Sequence, residues 1–127
     1  MMPTVLIVED FGPLRSLYSK FLTANGYSVT QASSCREALT ILSTFVPDVA
    51  LLDMQLPDGD GLSLVSFLKP DSRFKNTRII AVTASPKYQQ FADAYGIDHF
   101  MNKPISMPSL INLIDRITKT NMFAIAS

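Results

Sequence analysis

The 127-residue sequence contains one cysteine (Cys35), one histidine (His99) and no tryptophan. A single cysteine excludes a disulfide within the chain and suits a reducing compartment. Zinc sites built on Cys/His clusters are excluded by the count, as is a Cys–His nucleophile pair with a histidine to spare. Charge of one sign is also missing: 11 Lys and Arg stand against 11 Asp and Glu. That balance gives no electrostatic argument for direct nucleic-acid binding or for an anionic membrane surface. No apolar run approaches the ~20 residues of a spanning helix. Met1-Met2-Pro3 lacks the basic region and apolar stretch of a secretory signal. Carboxylates, hydroxyls, a lysine or a hard metal ion are left to carry any chemistry, and a cytoplasmic module is expected.

At 47% hydrophobic and 17% charged residues the chain is globular rather than disordered. Its length suits one domain, residues 1–127, with a core of about residues 4–119, a C-terminal tail over 120–127 and no output domain. Short apolar runs alternate with amphipathic stretches, without internal repeats or linkers. Thr4 to Glu9 reads as a buried strand, and Leu14, Leu17, Tyr18, Phe21 and Leu22 follow at helical spacing until Asn25-Gly26. Tyr27 to Ala32 alternates as a second, more exposed strand. Ser34 to Glu37 forms a capping box ahead of Ala38, Leu39, Leu42 and Phe45. The continuously apolar run Val49 to Asp53 predicts a central parallel strand buried on both faces.

Asp58 to Gly61 reads as a loop, followed by a third helix that ends at Pro70. Arg78 to Thr83 is a fourth strand. Ser85-Pro86 suggests an N-cap and a first helical proline, opening a fourth helix that runs to Tyr95. Ile97 to Met101 is a fifth strand, and Leu110, Ile111, Ile114 and Ile117 mark a fifth helix. Five β-α units in strict alternation predict an α/β fold: a doubly wound, flavodoxin-like three-layer sandwich on a five-stranded parallel sheet of order 2-1-3-4-5. In such sheets the site lies beyond the carboxyl ends of the strands.

Those ends are polar. The first strand ends in Glu9-Asp10, the third in Asp53, the fourth in Thr83, and the fifth runs into Lys103. Neighbouring first and third strands would bring three carboxylates together, whose repulsion a hard cation relieves. Oxygen ligands favour Mg²⁺ over a transition metal. Lys103 adds a compact positive charge and Thr83 a hydroxyl, a set that suits a phosphoryl group on Asp53 as an acyl phosphate.

With these residues placed, the chain resembles the receiver domain of two-component response regulators from Thr4 to about Lys119. The likeness rests on Glu9-Asp10, on Asp53 within LLDMQLPDGDGL, on Thr83-Ala84, on Lys103-Pro104 and on the segment Gly96 to Pro104. It implies that Asp53 accepts a phosphoryl group from a sensor histidine kinase or a histidine phosphotransfer protein, and that the domain is a signalling module rather than an enzyme. Mg²⁺ would be held by Asp10 and Asp53 directly, by Glu9 through water and by the backbone carbonyl of Gln55. Thr83 and Lys103 would engage the phosphoryl oxygens. Thr83 and Phe100 would act as the switch, changing the face of the fourth helix, fifth strand and fifth helix for a downstream protein or a weak homodimer.

Plainer readings exist for each residue taken singly. Glu9-Asp10 could be helix N-terminal acids, Lys103 solvated surface, Phe100 core, and His99 an exposed residue of the output face. Only 20 residues separate Thr83 from Lys103, shorter than the resemblance implies, with the shortening expected in Ser85 to Gly96. Gln55 and Ser85 flank the acceptor at positions that tune dephosphorylation in the family. A haloacid-dehalogenase-like phosphatase needs a second acid where Gln55 stands. A flavodoxin-like cofactor binder would place its phosphate against Glu9-Asp10. A phosphorylation-independent pseudo-receiver would usually lack part of the acidic set.

Overall fold

Strands and helices alternate along the chain in the computed structural model, which describes residues 2–126 and side chains as far as Lys119. Five strands, β1 (Thr4–Val8), β2 (Ser28–Ala32), β3 (Val49–Asp53), β4 (Arg78–Thr83) and β5 (His99–Asn102), pair in parallel in the order β2-β1-β3-β4-β5. That is the expected flavodoxin-like arrangement. The helices are α1 (Gly12–Ala24), α2 (Cys35–Leu42), α3 (Gly61–Leu68), α4 (Ala92–Tyr95) and α5 (Met107–Ala126).

The period-2 alternation of the strands divides the core into two layers. Val5, Ile7, Val49, Leu51, Ile80 and Val82 point to one face. There they meet Tyr18 and Leu22 of α1 and Leu110, Ile114 and Ile117 of α5. Leu6, Val8, Ala50, Leu52, Ile79 and Ala81 point to the other, against α2 and α3 through Ala38, Leu42, Leu64, Val65 and Leu68. β3 is buried at every position because it lies between both layers and has a strand on each side. The chain leaves β1 toward β2 and leaves β3 toward β4, so the crevice at the carboxyl ends opens between β1 and β3.

Several local features differ from the sequence expectation. The segment after Asp53 is more than a loop: Gln55–Leu56 pairs antiparallel with Gly59–Asp60, and the Asp60 side chain caps α3 through Ser63 N–H. Between Thr83 and Gly96 the expected single helix is a 3₁₀ segment, Pro86–Phe91, continued by the four residues of α4. A 3₁₀ turn rises ~2.0 Å per residue against ~1.5 Å in an α-helix, so fewer residues span the distance to β5. Ser85 does not cap this segment with its side chain; its N–H donates instead to Thr83 Oγ1 at 3.0 Å. Only half of the Ser34 capping box forms, with Ser34 Oγ accepting from Glu37 N–H while the Glu37 carboxylate accepts from Ser33 Oγ. The backbone of α5 continues to Ala126, through most of the segment expected as a tail.

Candidate functional site

Glu9, Asp53 and Lys103 each continue the alternation of their strands on the α1/α5 face, two positions beyond Ile7, Leu51 and Met101. Their side chains meet. Lys103 Nζ donates to Glu9 Oε1 at 2.8 Å and to Asp53 Oδ2 at 3.1 Å. Glu9 is only 2% exposed and Asp53 5%, so each needs the bonds it makes. Glu9 Oε2 accepts from Phe11 N–H at 3.2 Å, and Asp53 Oδ1 accepts from Gln55 N–H at 3.0 Å. Burial pulls the Lys103 ammonium toward its neutral form, but hydrogen bonds and charge from Glu9 and Asp53 outweigh it and hold the pKa above its ordinary value. The lysine is therefore a fixed cation of the pocket, and the solvated-surface reading fails.

Asp10 is exposed beside this pair. One carboxylate oxygen each from Glu9, Asp10 and Asp53 lies within 4.8 Å of the others. The helix-capping reading of Glu9-Asp10 does not hold, because α1 begins after Phe11, has no side-chain cap and carries no acid in its first turn. One ammonium between two buried carboxylates leaves an excess of negative charge, to which Asp10 adds. An all-oxygen donor set of this charge fits a hard divalent cation such as Mg²⁺.

Thr83 and Phe100 lie on the opposite side of the sheet. Thr83 is fully buried, and its Oγ1 is engaged by Ser85 N–H. Phe100 is half-buried against the α2/α3 layer with Phe91 and Tyr95, which contact each other edge to face at 6.0 Å. The main chain ties this side to the charged one, since Lys103 N–H donates to Thr83 O at 2.8 Å. His99 is half-buried rather than exposed, and burial together with Arg78 and Arg116 lowers its pKa against the opposing pull of Asp98.

Three contacts around the site were not specified by the sequence reading, although Gly61 stood in the motif it quoted. Gly61 N–H donates to Met54 O at 3.0 Å, and a Cβ at Gly61 would stand 2.7 Å from Asp53 O. The loop thus closes back on the backbone of Asp53 itself, where only glycine fits. Asp58 reaches across to α2, its carboxylate accepting from Cys35 N–H at 2.8 Å and Arg36 N–H at 2.9 Å. Arg15 Nη1 donates to the Glu9 carbonyl at 2.8 Å, bracing the turn between β1 and α1. Gly61, which opens α3, was a visible signal; the Asp58 contacts depend on backbone 22 and 23 residues away, and the Arg15 contact on the course of the turn after β1.

The family model described as the response regulator receiver domain matches residues 5–115. This chain belongs to the response regulator receiver family. The receiver is 34% identical over 116 residues to the polar-differentiation response regulator DivK of Brucella ovis, an overlap covering 90% of this chain and 94% of DivK. Among solved structures, chemotaxis response regulator CheY4 of Vibrio cholerae shares 30% identity with a TM-score of 0.85, over 92% of this chain and 99% of CheY4. The receiver domain of Francisella response regulator 1452 shares 28% identity with a TM-score of 0.84, over 94% of this chain and 98% of that one. Receiver domains are signalling domains that work with histidine kinases or phosphotransfer proteins and downstream targets. No helix among the described residues of this receiver is long and apolar enough to cross a membrane.

Proposed function

We propose that this receiver accepts a phosphoryl group onto the Asp53 carboxylate from a phosphohistidine on a histidine kinase or phosphotransfer protein, in a Mg²⁺-dependent reaction. A carboxylate oxygen forms the new bond to phosphorus as the P–N bond breaks and the imidazole of the donor leaves. The one histidine of these 127 residues is half-buried on β5, so the donor histidine lies outside this domain. The observation that carries the reading is the Lys103 ammonium shared between Glu9 and Asp53. It places a fixed positive charge beside the acceptor, where negative charge builds up on the transferring group.

Glu9, Asp10 and Asp53, with the Gln55 carbonyl, would hold Mg²⁺, which when bound neutralises phosphoryl oxygens. The remaining work belongs to the chain. Gln55 N–H orients the Asp53 carboxylate, and Lys103 follows the phosphoryl oxygens while keeping its backbone bond to Thr83. Thr83 Oγ1 turns from Ser85 N–H toward the phosphoryl group, and Phe100 moves into the space beside it. The α4-β5-α5 face then changes for a downstream protein or a second receiver. The event is a local change of charge that biases a two-state packing arrangement. Gln55 and Ser85, flanking the acceptor, set how long the acyl phosphate lasts.

Intact-mass measurement after incubation with Mg²⁺ and acetyl phosphate or phosphoramidate should show one added phosphoryl group. The adduct should be absent without Mg²⁺ and in Asp53→Asn. Wild-type protein that stays unmodified with both donors would overturn the reading in favour of a phosphorylation-independent interaction module.

A further inference from the structure

Tyr18 sits on the buried face of α1, 2% exposed, in the same layer as the apolar residues beneath Glu9 and Asp53. Its hydroxyl is enclosed and has no hydrogen-bond partner among the described residues. A buried hydroxyl without a partner carries a desolvation cost and calls for an explanation. Tyr18 stands six residues into a helix that starts immediately after the pocket's acids, about 9 Å along its axis. Helical side chains lean toward the N-terminus, so the phenol extends back toward the floor of the pocket. Burial, followed by the charge of Glu9, pushes the phenol pKa up to about 12, with Lys103 acting in the opposite direction and Asp53 in the same one. The group is a neutral hydroxyl within the field of all three charges.

Lys103 is the complementary group. Its ammonium has three N–H donors, of which one is given to Glu9 and one to Asp53. Lys103 continues the face of Met101, which packs against the layer that contains Tyr18. We propose that Tyr18 is a positioning residue of the pocket: its hydroxyl accepts the Lys103 N–H that Glu9 gives up when a divalent cation claims the Glu9 carboxylate. The inference rests on the Mg²⁺-dependent reading above. The exchange keeps Lys103 anchored at Asp53 instead of letting it swing out to solvent through the side of the pocket.

Tyr18→Phe removes one oxygen and keeps the ring, and MgCl2 alone is the probe. The melting midpoint without Mg²⁺ should stay level or rise, because the lost hydroxyl has no partner among the described residues. Mg²⁺ affinity should fall about tenfold, the loss of one hydrogen bond to a charged group. In a Lys103→Met background the same Tyr18→Phe change should leave Mg²⁺ affinity unaltered. Equal Mg²⁺ affinity in Tyr18→Phe and wild type would overturn the proposal. So would a lowered melting midpoint, or an undiminished effect in the Lys103→Met background. Wild-type protein that binds no Mg²⁺ would fail the functional reading itself, and this proposal with it.

Discussion

The backbone N–H of Lys103 donates to the carbonyl of Thr83 at 2.8 Å. The residue whose side chain joins Glu9 to Asp53 is therefore registered, through its main chain, by Thr83 at the end of β4. Charge on one side of the sheet and packing on the other share a single hydrogen bond across β4 and β5. A shift of the Lys103 backbone and a shift of the Thr83 backbone are therefore mechanically connected.

Replacing Lys103 by Met should cost about 2 kcal/mol at neutral pH, between the exposed and the fully buried limits for an ion pair, since the Lys103 side chain is 23% exposed. The cost arises from leaving the Glu9 and Asp53 carboxylates buried together without a cation. The folded pKa of Lys103 is raised, so its contribution is fully present below the ordinary lysine value of 10.5 and is lost as pH rises through the folded value. Urea unfolding of wild type and variant should converge at strongly alkaline pH, and Mg²⁺ should restore part of the variant's loss.

Asp10→Asn should leave stability within about 0.5 kcal/mol of wild type, because Asp10 is exposed and caps no helix. Its Mg²⁺ affinity should nevertheless fall by about tenfold or more, with one of three oxygen donors of the cluster neutralised. Calorimetric titration with MgCl2 checks this, and unchanged affinity would remove Asp10 from the metal site.

Thr83→Ala should still accept a phosphoryl group but fail to transmit it. The Ser85 N–H loses its acceptor, at a cost of about 1 kcal/mol, and no hydroxyl is left to turn toward the phosphoryl oxygens. Ring signals of Phe100 in NMR spectra should move on phosphorylation of wild type and stay in place in the variant.

Asp58 ties the loop after β3 to the N-terminus of α2, and the backbone hydrogen bonds from Arg36 and Cys35 hold its carboxyl below the ordinary value of 3.8. A depressed carboxyl pKa stabilises the fold above the unfolded value, and the effect is lost as pH falls through the folded one. Acid unfolding should therefore begin at higher pH in Asp58→Asn than in wild type, with a shallower approach to the transition. Circular dichroism from pH 6 downward reads this directly, and superimposable curves would refute the clamp.

Gly61→Ala should be among the more damaging small changes in the chain. The added methyl would stand 2.2 Å from Met54 Cε and 2.7 Å from Asp53 O, and the second contact is backbone that cannot step aside. A loss of about 2–3 kcal/mol is expected, together with slower formation of the phosphoryl adduct as the end of β3 that carries Asp53 shifts.

Much of the fold was legible in the residues. The continuous apolarity of Val49 to Leu52 identified the central strand because a strand flanked on both edges and covered on both faces has no polar side to show. The polar residues at the strand ends marked the site because nothing in a packed parallel sheet otherwise requires Glu9, Asp53 and Lys103 at its rim. The clamp of Asp58 was not legible, nor was the reversal at Ser85. Asp58 acts on backbone 22 and 23 residues away, and Ser85 gave its N–H to Thr83 rather than its Oγ to a helix. The same local residues support either geometry. Tyr18 read as one more apolar position of α1, since helical spacing distinguishes faces and says nothing about the far end of a phenol.

The sequence by itself determined the alternating elements, the parallel sheet and the set of groups that could do chemistry. Side-chain parity along a strand and the 3.6-residue period of a helix are local properties, carried by neighbours in the chain. Only the tertiary structure decided that a single ammonium serves both Glu9 and Asp53, and that Thr83 and Phe100 lie across the sheet from them. It also left the Tyr18 hydroxyl enclosed beneath the charges. Those facts depend on strand order and register, which bring together residues up to 94 positions apart, and no local pattern encodes a distance of that kind.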